Sequence, residues 1–283
     1  MLSQDLSIDL IRLAIAEDIG DGDHSSLACI PLNAKGKAKL LVKENGILAG
    51  ISVAQKVAEL ISADLKLEIC LTDGEEINPG DIAFCLSGPE LQILQSERLI
   101  LNFMQRMSGI ATFTNRLVKM VSHTSVTLLD TRKTTPGLRW FEKEAVRIGG
   151  GQNHRFGLYD MVMLKDNHID FAGGIEKAIQ LTNSYLQTKG KDLKIEVEVR
   201  NFEELETVLR TGNIHRIMLD NFSPKSIRKA INIIDKRYET EASGGINESN
   251  LESYAETGVD YISIGAFTHQ IKSLDLSLKA VVG

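Results

Sequence analysis

KIEVEVRNFEELETVLRTGNIHRIMLDNFSPKSIRKAINIIDKRYETEASGG, Lys194 to Gly245, reads as strand, helix, strand, helix, strand. KIEVEVR, RIMLD and TEASGG are short runs of strand-forming residues, whereas FEELETVLR and PKSIRKAINIID place apolar residues at helical spacing. Apolar strands alternating with helices call for parallel pairing, because each crossover helix carries the chain back to the starting end of the sheet. Working outward, VTLLD and MVMLK precede this stretch and DYISIGA follows it, with helical segments GLRWFEKEAVRI, GGIEKAIQLTNSYL and ESNLESYAET between them. Six such units in succession suggest a barrel more than an open sheet. No G-x-G-x-x-G opens any of them.

The sequence before this region has a different grain. Residues 8 to 17 have helical spacing, and DIGDGDHSS ends that helix with two glycines. KAKLLVKENGILAG places two β-type runs around Asn45-Gly46, which predicts a tight hairpin. VAQKVAELI reads as a helix, LKLEIC and DIAFCLSG as strands, and LTDGEE and NPG as turns, so the segment is α+β. After Gly88-Pro89 a long helical pattern begins, with a break expected at Ser108-Gly109.

With 283 residues, 43% of them hydrophobic, the chain can bury a large core. Cys29, Cys70 and Cys85 lie far apart without a C-x-x-C pair, and they read as reduced core thiols rather than a disulfide framework or zinc site. No run approaches the ~18 apolar residues of a spanning helix, and the first ten residues lack a basic leader region, so a soluble cytoplasmic protein without membrane partners is expected. Lys and Arg total 32 against 38 acids, a net charge of −6, which argues against a broad nucleic-acid face. Between Thr131 and Lys165 the balance reverses, with seven Lys or Arg against three acids, a local +4. A basic pocket in an acidic protein points to a small polyanionic substrate.

The positions of the polar residues sharpen this. Asp130, Lys165, Glu198, Asp220, Ser243 and Gly265 each fall at or just past a strand's C-terminal end, and in a parallel barrel those ends converge on the face that carries the active site. In DTRKTTPG, Arg132 offers a planar fork and Lys133 a point charge, suited to an anion with more than one acidic group, with Thr131, Thr134 and Thr135 adding hydroxyls. GGGQNHR joins three glycines, which permit close backbone approach, to His154 and Arg155. Lys165 at an apolar strand end is costly to bury unless an anion pairs with it. Glu198 and Asp220 suit ribose hydroxyls or Mg²⁺ bridged to phosphates. Alternation puts Glu196 on the same face as Glu198, where it reads equally as a salt bridge in the barrel wall. EASGGIN and ISIGAFTH supply small residues and backbone N–H groups for phosphate at the last two strand ends.

The motifs AEDIGDGD, ERLILNFMQRMSGIAT, DTRKTTPGLR, EKEAVRIGGGQNHRFGLYDMVMLKDNH, IEVEV, IMLDN, EASGGI and TGVDYISIGAFTH run nearly from end to end, and by them the chain resembles the quinolinate phosphoribosyltransferase family. The resemblance implies an α/β fold, an N-terminal α+β sandwich over 1–107 followed by a parallel, incomplete α/β barrel over 108–270. Residues 271–283 would then return to the first domain. It implies a homodimer with a shared active site, quinolinate and phosphoribosyl pyrophosphate as substrates, Mg²⁺ carried with the latter, and no organic cofactor. Carried over residue by residue, the quinolinate set falls on Arg132, Lys133, His154, Arg155 and Lys165, with Arg98 entering from the partner subunit. The phosphoribosyl pyrophosphate side falls on Glu198, Asp220, Ser243, Gly244, Gly265 and His269. Glu198 and Asp220 are the metal-side carboxylates, and Lys133, Lys165, Glu198 and Asp220 are expected to be catalytic. Arg200 departs from the acid that many relatives carry after EVEV. Tyr159 and His168 are expected to pack or to support rather than touch ligand. Competing readings are a molybdenum-locus paralogue of the same fold, a Schiff-base aldolase with Lys165 as nucleophile, and a non-catalytic phosphometabolite-binding protein.

Overall fold

The computed structural model describes residues 2–281; the outer limits of the expected segmentation, Met1 and residues 282–283, lie outside them. In chain order the elements begin with α1 (Leu2–Ile19), α2 (His24–Cys29), β1 (Lys35–Val42), β2 (Gly46–Ile47), α3 (Ile51–Ile61), β3 (Lys66–Ile69), β4 (Glu76–Ile77), β5 (Ile82–Pro89) and α4 (Glu90–Met120). They continue with β6 (Thr127–Leu129), α5 (Arg139–Ile148), β7 (Val162–Leu164), α6 (Asp166–Ala172), α7 (Ile175–Lys189), β8 (Ile195–Val199), α8 (Phe202–Thr211) and β9 (Arg216–Asp220). The last are α9 (Pro224–Ile234), β10 (Glu239–Ser243), α10 (Leu251–Ala255), β11 (Tyr261–Ser263), α11 (Ala266–His269) and β12 (Leu276–Ala280). Two compact units result. One comprises Met1–Arg116, Thr134–Gly150 and Phe267–Gly283, the other Leu117–Lys133 and Gly151–Ala266.

The first unit is built on an antiparallel sheet in the order β12-β1-β5-β3. On β1 the alternate residues Ala38, Leu40 and Val42 are buried, as expected for a sheet with one covered face. Val53, Ala54, Val57 and Ala58 form the buried stripe of α3 at helical spacing. The hairpin expected at Asn45-Gly46 does not form. β1 gives one edge to β5, with Leu40 opposite Phe84, and the other to β12, with Leu40 opposite Leu278. β2 therefore pairs with β4, Gly46 opposite Ile77.

The break expected at Ser108-Gly109 is also absent, since α4 runs unbroken from Glu90 to Met120. Both residues serve packing instead. Ser108 Oγ accepts the Ala49 N–H at 3.0 Å and donates to the Ala49 carbonyl at 3.2 Å, and a Cβ on Gly109 would collide with the Lys272 carbonyl. A single helical glycine costs about 1 kcal/mol, which a long, well-packed helix tolerates. Nor are the cysteines core residues: Cys29 and Cys70 are exposed and Cys85 half-buried, and all three are free thiols.

In the second unit six parallel strands follow the order β6-β11-β10-β9-β8-β7. The first strand pairs with the last, Leu128 beside Ile262, while the others lie in chain order, so the sheet curls into an incomplete barrel open between β6 and β7. One parallel bridge, Leu129 to Gln152, borders that opening. Local chemistry starts the helices where the sequence indicates. Asn201 caps α8 by accepting the Glu204 N–H, and Ser223 caps α9 with Pro224 in its first turn. Their apolar stripes, Leu205 with Val208 and Ile227 with Ala230 and Ile234, are buried. Among the described residues no helix is long and apolar enough to cross a membrane.

Candidate active site

Parallel register aligns the inward residues of the barrel in rows. Glu196 lies beside Arg216, which lies beside Glu239; Glu198 lies beside Met218, then Glu241, then Tyr261; Asp220 lies beside Ser243. Barrel interiors are normally filled with branched aliphatic side chains, and here charged residues occupy much of that space. Near the rim, Lys165 Nζ contacts Glu198 Oε2 at 3.0 Å, with the ammonium part exposed and the carboxylate nearly buried. Asp220 is half-buried, and its Oδ2 accepts a bond from Asn221 Nδ2 at 2.6 Å. The Asn221 N–H is in turn bonded to the Ser243 carbonyl at 2.8 Å. Gly244 has φ +93°, and a side chain there would strike Asn221. Only glycine meets both conditions at that turn.

Arg132 and Lys133 are exposed on the loop after β6, and the Lys133 N–H donates to Thr131 Oγ1 at 3.0 Å. Arg155 is half-buried, and its guanidinium donates to the Met161 carbonyl at 3.2 Å. Burial lowers its pKa, and the nearby positive charge of Arg132 lowers it further, so the two cations share one field that a dianion would relieve. Ser243 and Gly265 are half-buried at their strand ends.

Below the rim lies a layer that the sequence reading only partly anticipated. His154 is buried, and its Nε2 lies 3.0 Å from Glu196 Oε2 and 3.3 Å from Glu241 Oε2. Arg216 Nη1 closes on the same Glu241 oxygen at 3.0 Å, pairs with Glu239, and stacks its guanidinium 3.9 Å from the Tyr261 ring centroid. The His154 N–H donates to the buried Asp130 carboxylate at 2.8 Å. Burial opposes charge on the imidazole, but Glu196 and Glu241 outweigh it and push its pKa up to about 9. The Arg155 amide approaches Nδ1 at 2.6 Å, a contact that a second ring proton would disrupt. A neutral hydrogen bond is worth about 1 kcal/mol, less than two carboxylates at contact distance in a low-dielectric interior, so the carboxylates prevail. Glu196 is itself pushed up, first by burial and then by the Glu241 charge, whereas Glu241 is lowered by His154 and Arg216 in spite of its burial.

This layer makes stability pH-dependent with a fixed sign. A histidine whose pKa rises on folding contributes stability fully present below its unfolded value near 6.5 and lost as pH climbs through about 9. The loss is at most about 3 kcal/mol. Thermal midpoints are expected to fall between pH 6.5 and 9.5, and His154→Gln to flatten that slope. An unchanged slope in the variant would refute the assignment.

The structure separates the sequence-derived residues into groups. Arg132, Lys133, His154, Arg155, Lys165, Glu198, Asp220, Ser243, Gly244 and Gly265 belong to the barrel unit, whereas Arg98 on α4 and His269 on α11 belong to the first unit, both exposed. Gly149 does not serve close approach to a ligand. It caps α5, and a Cβ there would lie 2.5 Å from the Ala111 carbonyl of α4. The hydroxyls of Thr134 and Thr135 are taken up locally by Arg139 and Arg106. α11 has four residues, too short for a strong helix dipole. His168 Nδ1 accepts the Lys165 N–H at 3.0 Å, a cap for α6 and a supporting role. Tyr159 is exposed. Arg200 is bound at the rim by Glu204 at 2.6 Å and Asp170 at 3.5 Å, which neutralises the charge that departs from the family pattern. Arg216 and Glu241 were not singled out from the sequence, although the alternating pairs Glu196 with Glu198 and Glu239 with Glu241, and Arg216 at the start of the strand between them, are visible there.

Comparison with known proteins gives a consistent result. Residues 23–108 match the family described as quinolinate phosphoribosyl transferase, N-terminal domain, and residues 110–279 match its C-terminal domain. The chain is 43% identical over 285 aligned residues to a quinolinate phosphoribosyltransferase [decarboxylating] 1b of Nicotiana tabacum, covering 95% of this chain and 81% of that protein. It is 40% identical to a probable nicotinate-nucleotide pyrophosphorylase [carboxylating] of Bacillus subtilis, covering 95% and 91%. The solved structure of the nicotinate-nucleotide pyrophosphorylase from Francisella tularensis superposes with a TM-score of 0.91 at 39% identity, covering 98% of this chain and 96% of that one.

Proposed function

This chain belongs to the quinolinate phosphoribosyltransferase family, and from that premise we infer that it transfers the phosphoribosyl group of phosphoribosyl pyrophosphate to the ring nitrogen of quinolinate, with loss of one carboxylate. The products are nicotinate mononucleotide, pyrophosphate and carbon dioxide, a step of NAD biosynthesis. The observation that carries the reading is the set of cations Arg132, Lys133, Arg155 and Lys165 in the barrel unit of an acidic protein, beside the carboxylates Glu198 and Asp220.

Quinolinate carries two carboxylates, and Arg132 and Arg155, held in each other's field, gain most from receiving them. Lys165 shares its ammonium between Glu198 and the arriving substrate carboxylate. The pyridine nitrogen then donates its electron pair to the ribose C1 as the bond to pyrophosphate breaks. Positive charge grows on the sugar in that transition state, and Glu198 and Asp220 stand where fixed negative charge stabilises it. The ring nitrogen becomes cationic and draws in the electron pair of the adjacent carbon–carboxylate bond. Carbon dioxide leaves, and the ring carbon takes a proton from solvent.

Glu198 and Asp220 are hard oxygen donors on neighbouring strands, a set that fits Mg²⁺. One Glu198 oxygen is already paired with Lys165, so the fit favours holding the ion through its waters. The ion supplies charge neutralisation to the departing pyrophosphate. Exposed Arg98 is available to a second copy of the chain, and we propose the homodimer with shared sites on the strength of the family resemblance. A cytoplasmic location is proposed with it, because three free thiols suit a reducing compartment.

The aldolase reading loses ground on one observation. Nucleophilic lysines are activated by desolvation or by a neighbouring cation, whereas Lys165 is part exposed and paired with a carboxylate. The test is pyrophosphate and carbon dioxide release from quinolinate plus phosphoribosyl pyrophosphate with Mg²⁺. Equimolar release of both is expected, and its absence with each substrate at millimolar concentration would reject the function.

A further inference from the structure

We propose that Glu196 and Glu241 are positioning residues for quinolinate, acting through His154 to fix the Asn153–Arg155 segment beneath the basic rim. The inference deepens the function proposed above and rests on it.

The geometry is specific. Glu196 on β8 and Glu241 on β10 approach a single imidazole nitrogen from separate strands, at 3.0 and 3.3 Å. Both carboxylates are fully buried, and they sit two residues before the rim residues Glu198 and Ser243 on the same strand faces. Asp130, at the end of β6, holds the His154 N–H. His154 is thus fixed at its side chain by β8 and β10 and at its backbone by β6. Its neighbour Arg155 is the cation whose guanidinium shares the field of Arg132. A displacement of the histidine would carry Arg155 with it. His154 does not present Nε2 to the rim, so its contribution to an anion passes through the segment it anchors.

Stability alone does not explain this layer. Burying two carboxylates, an imidazole and a guanidinium costs more than filling the same volume with aliphatic side chains, and such replacements are often neutral or stabilising. Nor does a metal ion explain it, although the three ligand atoms lie within 4.8 Å of one another. Arg216 already contacts the Glu241 oxygen that faces His154 and occupies the space beside it. A cation placed there would meet Arg216 at close range. What the layer supplies is a fixed place for the peptide that carries Arg155.

The experiment uses the full chain and compares Glu241→Gln, Glu196→Gln, His154→Gln and the double variant His154→Gln/Glu241→Gln. Steady-state constants are measured for both substrates, with thermal midpoints alongside. Loss of a charge-assisted hydrogen bond that positions one substrate is expected to raise the quinolinate KM about ten- to a hundredfold, with the phosphoribosyl pyrophosphate KM within about twofold of the parent. The double variant is expected to match His154→Gln, because Glu241 acts through that ring. Equal rises in both KM values, losses that multiply in the double variant, or a lowered midpoint with unchanged quinolinate KM would overturn the proposal. Should Glu241→Gln not fold, Glu196→Gln carries the same expectations, with its double variant on His154. An inactive parent enzyme would instead remove the functional reading, which keeps the two failures apart.

Discussion

Replacing Lys165 by alanine is expected to lower kcat/KM for quinolinate by at least about a thousandfold while the protein stays folded. Two losses combine. The ammonium that would meet a substrate carboxylate is gone, and Glu198, whose side chain is 9% exposed, is left without its partner at 3.0 Å. An unpaired carboxylate at the barrel mouth repels both anionic substrates and can no longer be held in one orientation for the developing sugar charge. Lys165 itself is part exposed, so its removal opens no large cavity. The check is kcat/KM beside circular dichroism and a thermal melt. Activity within tenfold of the parent, in a folded protein, would displace Lys165 from the site. The same argument applies with smaller force to Arg132, which is more exposed and has Arg155 and Lys133 nearby.

Glu142→Ala is expected to destabilise the first unit by about 2–4 kcal/mol, somewhat below the range for a fully buried ion pair because the Arg106 left behind is 30% exposed. Glu142, on α5, is fully buried and receives Arg106 from α4 through both Nε, at 2.9 Å, and Nη2, at 2.5 Å. Its other oxygen accepts the Thr135 N–H at 3.0 Å, and Arg106 also donates to Thr135 Oγ1 and to the Thr268 carbonyl. One carboxylate thus ties two helices to the loop that follows Lys133. For a chain of this size each kcal/mol is worth roughly 2–4 °C, so a midpoint lower by about 10 °C is expected. A shift under about 2 °C would show that water or a neighbour satisfies Arg106. Glu142→Gln keeps the shape and the Thr135 bond and is expected to recover part of the loss.

The β/α succession was legible because periodicity changes visibly from two to near four along Lys194–Gly245, and because Asn201, Ser223 and Pro224 announce the helix starts. The first sheet was less legible. Whether β1 turns back on β2 at Asn45-Gly46 or pairs with β5 and β12 depends on partners far away in sequence, and no local pattern encodes that choice. Ser108-Gly109 misled for a related reason, since both are explained by what packs on them and not by backbone preference. The rim residues could be found from strand ends. Glu241 was visible as a charge alternating with Glu239, and Arg216 as the charge that opens its strand, but their pairing needs the tilt of the barrel, which brings residues from different rows of the register into contact.

The pairing of β12 with β1 bears on how the molecule is made. During synthesis the barrel strands β6 to β11 emerge together and can assemble as soon as they clear the ribosome, whereas β1 must wait for residues 276–280. Until then β1 presents an unsatisfied edge to the cell, the kind of surface that chaperones cover and neighbouring chains invade. Late-arriving residues thus protect the earliest-made strand, and a chain that stops before Leu276 is expected to leave that edge open to aggregation.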